Sequence, residues 1–70
     1  MAINIHHVYS AKVEISFLDR AHNYVLKEQT FGCMDAIAEH ICEVLVKHDL
    51  TYANVIDATT GEFLLVVERT

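Results

Sequence analysis

"CMDAIAEHICEVLVKHDL", residues 33 to 50, decides how this chain folds. Ile37, Ile41, Val44, Leu45 and His48 recur at helical spacing, and Met34, Ala38 and Cys42 widen that apolar stripe. Asp35, Glu39, Glu43 and Lys47 step by four along the opposite side. The spacing predicts one amphipathic helix from Cys33 or Met34 to His48 or Asp49. Gly32 or Cys33 is the expected N-cap, and Asp35 falls in the first turn, where the helix dipole favours an acid. Glu43 and Lys47 stand at i,i+4, the spacing of a helical ion pair. His48, on the stripe in the last turn, is expected to be a partly buried helix-end histidine.

On both sides of this segment the period changes to two. Before it, Ile3, Ile5, His7, Tyr9, Ala11, Val13, Ile15 and Phe17 hold odd positions. Asn4, His6, Ser10, Lys12, Glu14 and Ser16 alternate with them, the pattern of a half-buried strand. The stretch is long for one strand, with a bend expected near His7 or Val8 and its firmest part over residues 9 to 18. "DRAHN", residues 19 to 23, is turn material, and "YVLKEQTF", residues 24 to 31, returns as an edge strand with Lys27, Glu28 and Gln29 exposed. After the helix come "YANVIDA", residues 52 to 58, and "EFLLVVER", residues 62 to 69. "ATTGE" joins them, with Gly61 suited to the positive φ of a short bulged hairpin loop. The order is β-β-α-β-β. The fold class expected is α+β, a four-stranded antiparallel sheet with one helix packed on one face, in a single domain over residues 1 to 70.

One helix covers one sheet face. In regular alternation Leu64 and Val66 point away from Phe63, Leu65 and Val67, so the last strand is apolar on both sides. A chain of 70 residues, 53% hydrophobic and 21% charged, has no further layer to place there. A second copy of the chain, or another protein, is the economical cover. The expected partner is therefore the chain itself, as a homodimer. Leu64 and Val66 are the candidate contact residues, beside Lys12, Glu14 and Ser16 on the open face.

Composition excludes several functions. Ten Asp and Glu against five Lys and Arg give a net charge of −5, so no basic face is expected for direct nucleic-acid binding. No apolar run approaches the roughly 20 residues of a membrane span. The N-terminal "MAINIHHVYS" does not read as a signal peptide, and a cytoplasmic location follows as the expectation. With no proline and two glycines, no linker is visible. Cys33 and Cys42, on one helix, would stand ~13 Å apart, too far for a disulfide. They are expected to be reduced, with Cys42 packing as a small hydrophobe.

No catalytic, cofactor-binding or metal-ligating set emerges, and no enzyme activity is expected. His6 and His7 point to opposite faces of a strand, His40 and Cys42 face apart on the helix, and only a convergence such as His7 with His22 is left open. Cys33 near a helix N-terminus has no assignable base, and Asp35 beside it opposes thiolate formation. "TTGE" lacks the glycine spacing and the lysine of a phosphate loop. The acidic row Asp35, Glu39 and Glu43 is a solvated helix face, and second a docking surface for a basic protein.

The reading reached from the residues is a small acidic interaction module, non-enzymatic and homo-oligomeric, that acts by binding another protein. In size, charge and order of elements the chain also resembles small phage-encoded inhibitors, the anti-CRISPR and anti-restriction proteins among them. That resemblance implies an inhibitor or decoy of a host nucleic-acid-handling protein, docked on a basic host partner. A further alternative is a small ligand-binding protein or enzyme with its site between subunits, using His7, Tyr9, Tyr24 and Tyr52 as polar handles.

Overall fold

The computed structural model describes residues 10–69. The elements are β1 (Ser10–Leu18), β2 (Tyr24–Cys33), α1 (Met34–Lys47), β3 (Tyr52–Asp57) and β4 (Phe63–Glu68). They form one four-stranded antiparallel sheet in the order β2-β1-β3-β4, with the helix on one face. This is the α+β arrangement expected from the two changes of period. The part of the alternating segment before residue 10, with its expected bend at His7 or Val8, lies outside the described residues.

β1 and β2 form the first hairpin, from Ser10 opposite Cys33 to Leu18 opposite Tyr24. Its turn is built by Asp19. The Oδ1 atom accepts hydrogen bonds from the backbone N–H groups of Ala21 and Asn23, both at 2.9 Å. These bonds to a carboxylate hold His22 at φ 67, a left-handed conformation unusual outside glycine. The Asp19 carboxyl lies below its ordinary pKa of 3.8, chiefly through the Asn23 backbone N–H.

β2 runs two residues further than its alternation suggests and passes into α1 with no loop between them. Cys33 is the N-cap, in extended conformation, and its side chain makes no capping hydrogen bond. The other end of the helix is closed tightly. The Leu50 N–H donates to the Leu45 carbonyl at 2.8 Å and the Asp49 N–H to the Val46 carbonyl at 3.3 Å. Asp49 sits between them at φ 54. This is a Schellman closure with aspartate where glycine is usual. Leu50, buried, accompanies Leu45 beneath it. Arg69 adds a cation at the negative end of the helix, donating to the Leu45 carbonyl at 3.0 Å and to Asp49 Oδ1 at 2.6 Å.

The core lies between helix and sheet. Val13, Ile15 and Phe17 of β1 and Ala53 and Val55 of β3 pack with Ile37, Ile41, Val44 and Leu45 of α1. The two central strands thus supply the sheet side of the core and the helix stripe supplies the other. Three helix residues depart from expectation. His48 is the C-cap, one residue past the last helical turn, and is exposed. Ala38 and Cys42 lie beyond the edge of the apolar stripe and are exposed, so Cys42 does not pack as a core residue. Of the residues that widen the stripe, only Met34, in the first turn, packs against the core. Glu43 and Lys47 form no ion pair; the described ion pairs are Lys27–Glu14, His40–Glu28 and Arg69–Asp49.

The second hairpin pairs Tyr52 with Glu68 through to Ile56 with Phe63. Asp57 organises its loop, accepting from Thr59 and Thr60 N–H groups at 2.7 and 3.0 Å. Gly61 takes φ 78 there, as its place in "TTGE" predicts. The two hairpins join through β1 and β3, from Val13 opposite Asp57 to Leu18 opposite Tyr52.

Candidate functional site

Register assigns every strand residue to one of the two faces. In an antiparallel pair, residues directly opposite share a face. Lys12 stands opposite Phe31, Glu14 opposite Gln29 and Ile56, Ser16 opposite Lys27 and Asn54, and Leu18 opposite Tyr24 and Tyr52. These are the residues that the helix does not cover. On β4 the pairs Asn54–Val66, Ile56–Phe63 and Tyr52–Glu68 continue the same rows.

β4 carries the main correction to the sequence reading. Its pairing with β3 slips between Val55 and Ile56, so that Val55 meets Leu65 but Ile56 meets Phe63. Leu64 is the extra residue of a β-bulge. A bulge lets two neighbouring residues point to the same side. Leu64 therefore turns inward with Leu65 and Val67 against the core, and Phe63 turns outward with Val66. Of the two residues expected on the outer face of this strand, Val66 is there and Leu64 is not.

The outer face is more apolar than the last strand alone suggested. Phe31 is 72% exposed, Phe63 60% and Val66 53%, with Ile56 half-buried between the latter two. Tyr24, Val25 and Lys27 on one side and Asn54, Ile56 and Phe63 on the other line a shallow depression of about 610 Å³, floored by Glu14 and Ser16. Lys27 Nζ stands 3.9 Å from Glu14 Oε1 within it. At its end Leu18 is buried between the two tyrosines opposite it, and the Tyr52 ring stacks on His22 with centroids 4.4 Å apart. Phe31 and Ile56 were legible: Phe31 shares parity with Lys27 and Gln29, and Ile56 with Asn54. Phe63 was not, because the bulge reverses its parity.

Asp35, Glu39 and Glu43 are all exposed on the outward side of α1, as expected. Beside them Cys42 and Val46, the latter 67% exposed, make a small apolar strip. His40 leaves this row and meets Glu28 of β2 at 2.7 Å, tying the helix to the sheet edge. Of the polar handles named for a site between subunits, Tyr24 borders the depression. Tyr52 is engaged by His22, and His7 and Tyr9 lie outside the described residues, as does any His7–His22 convergence. Among the described residues no group of three His, Cys, Asp or Glu side chains converges as metal ligands would. Among the described residues no helix is long and apolar enough to cross a membrane.

Comparison with protein-family models, curated proteins and solved structures finds no match to this chain.

Proposed function

We propose that this protein is a small acidic interaction module that works by binding protein through the uncovered face of its sheet. One observation carries the reading. Phe31, Phe63 and Val66 stand more than half exposed on a single face, Phe63 and Val66 in the rows of Ile56 and the Glu14–Lys27 pair and Phe31 in the next row, opposite Lys12. Large apolar side chains gathered on one face and rimmed by polar ones are the usual composition of a protein contact. A two-layer fold leaves this face to water unless a partner covers it.

A photo-reactive phenylalanine analogue placed at Phe63 or Phe31, at natural abundance in the producing cell, tests the reading. A defined covalent protein adduct is expected from both positions. No adduct from either position would overturn it. A second reading, a decoy for a basic protein such as a nucleic-acid-handling one, is favoured by the outward row Asp35, Glu39 and Glu43 beside Val46. It predicts the adduct from an analogue at Glu39 instead, lost as salt is raised.

A further inference from the structure

Resting on that reading, we infer that the occupant of the open sheet face is a second copy of this chain, packed face to face about a two-fold axis. The axis runs parallel to the sheet, between the two copies, perpendicular to the strands and over the gap between the Glu14 and Ser16 rows.

Charge selects the occupant. The open face carries Lys12 and Lys27 against Glu14 and Glu68, two cations and two carboxylates that cancel. The outward side of the helix carries Asp35, Glu39 and Glu43 against Lys47, three to one. A strongly charged partner gains nothing on the balanced face, whereas an identical copy meets it without net repulsion. The same copy approaching helix to helix would set acidic row against acidic row.

The order of residues selects the axis. A two-fold perpendicular to the strands brings each strand over its own copy, with the rows reversed. Phe63 then meets the partner's Val66, Phe31 meets the partner's Tyr24, and Glu14 comes over the partner's Ser16, next to the partner's Lys27. Apolar groups meet apolar groups at both sheet edges and Glu14 comes near the partner's Lys27 in the middle, while Lys12, at the end of β1, is the one charge set over an apolar residue, the partner's Leu18. The other in-plane axis, along the strands, exchanges β2 with β4 and β1 with β3. It would press Lys27 onto the partner's Val66 and Glu14 onto the partner's Ile56, burying two charges against apolar groups at each half of the contact. Aligned packing of two twisted sheets is the arrangement that β-sandwiches use.

Size selects the strength. Four strands about 4.8 Å apart, and the seven residues from Lys12 to Leu18 at ~3.3 Å each, give a face of roughly 19 by 23 Å. With side-chain relief, two such faces bury on the order of 1,000 Å², the lower end of specific interfaces. An interface of that size suits a reversible dimer, sought over the micromolar range, rather than an obligate pair.

Sedimentation equilibrium of the full chain from about 5 to about 500 µM spans that range. The expected result is a mass that rises from monomer to dimer. Val66→Glu, at an exposed position that leaves the core intact, should weaken association about tenfold or more by setting a carboxylate against the partner's Phe63. Glu39→Lys, on the helix, should leave association unchanged. Glu14→Lys should weaken the dimer, and Glu14→Lys with Lys27→Glu should restore it. A wild-type chain that remains monomeric throughout overturns the inference, as does a Val66→Glu variant that associates as wild type does. The adduct from Phe63 in the cell separates the two levels: a mass of two chains supports the dimer, an adduct with a different protein alone overturns it while the interaction reading stands, and no adduct removes both.

Discussion

Asp19 shows how much one side chain does in a chain this small. Its carboxylate supplies the acceptors that let the first hairpin turn over five residues without a glycine. Because those bonds favour the ionised form, its folded pKa lies below the ordinary 3.8. The sign follows from linkage. A depressed carboxyl adds stability that is fully present above the unfolded value and is lost as pH falls through the folded one. Asp19→Ala should therefore lower the melting temperature at neutral pH, and the gap to wild type should shrink below about pH 4. Melts at several pH values check this; a constant gap would mean that the charge of Asp19 is irrelevant to the turn. Gly61 is the counterpart in the second hairpin. Nothing stands within 4 Å of where its Cβ would be, so space is not the constraint; φ 78 is. Gly61→Val should cost about 1 kcal/mol or more through backbone strain alone. Thermal melts that place the variant level with wild type would remove that argument.

At the scale of elements, α1 is one-sided. Ile41 is 1% exposed in the centre of the core, whereas Glu39 is exposed on the outward row. Ile41→Ala should cost ~2–5 kcal/mol, and Glu39→Ala less than ~0.5 kcal/mol. Chemical denaturation of the two variants decides it, and equal effects would mean that the stripe is misplaced. The helix and β1 were legible because each keeps a single hydrophobic period, and β2, β3 and β4 because short runs of β-forming residues lie between turn residues. Strand order was not legible, since β1 beside β3 is a pairing between segments far apart that no local pattern encodes. The bulge at Leu64 was hidden for another reason. "FLLVVE" is apolar at five consecutive positions, so its composition is the same in either register, and only the pairing with β3 reveals which residue is extra. The candidate surface depends most on that ambiguity: regular alternation places Val66 outward, as found, but also Leu64 outward and Phe63 inward, both reversed by the bulge. The helix ends at Lys47 rather than at the expected His48 or Asp49, and His48, past its last turn, lies in solvent.

At the scale of the whole molecule, two hairpins share one helix and one seam. The outer strands β2 and β4 each touch one neighbour, and the seam between β1 and β3 holds the most buried residues of the sheet: Val13, Ile15, Phe17, Ala53 and Val55, all fully enclosed. Val13 and Asp57, opposite each other across that seam, are 44 residues apart in sequence (57 − 13). This separation governs the order of events in time. Each hairpin closes locally and fast, on about the microsecond scale, but a lone two-stranded hairpin is marginal in water. Neither becomes permanent until the seam zips and α1 settles over it, and that step bears the entropy of closing a long loop. The seam should therefore belong to the folding nucleus. Val55→Ala should slow refolding, with a φ-value of about 0.5 or more, whereas Leu65→Ala on the outer strand should mainly speed unfolding. Stopped-flow refolding that gives the opposite ranking would place the nucleus in the second hairpin instead. A chain whose seam has not yet closed exposes the edges of two sticky ribbons at once. The slowest step of its folding is thus also the moment at which it is most open to pairing with the wrong neighbour.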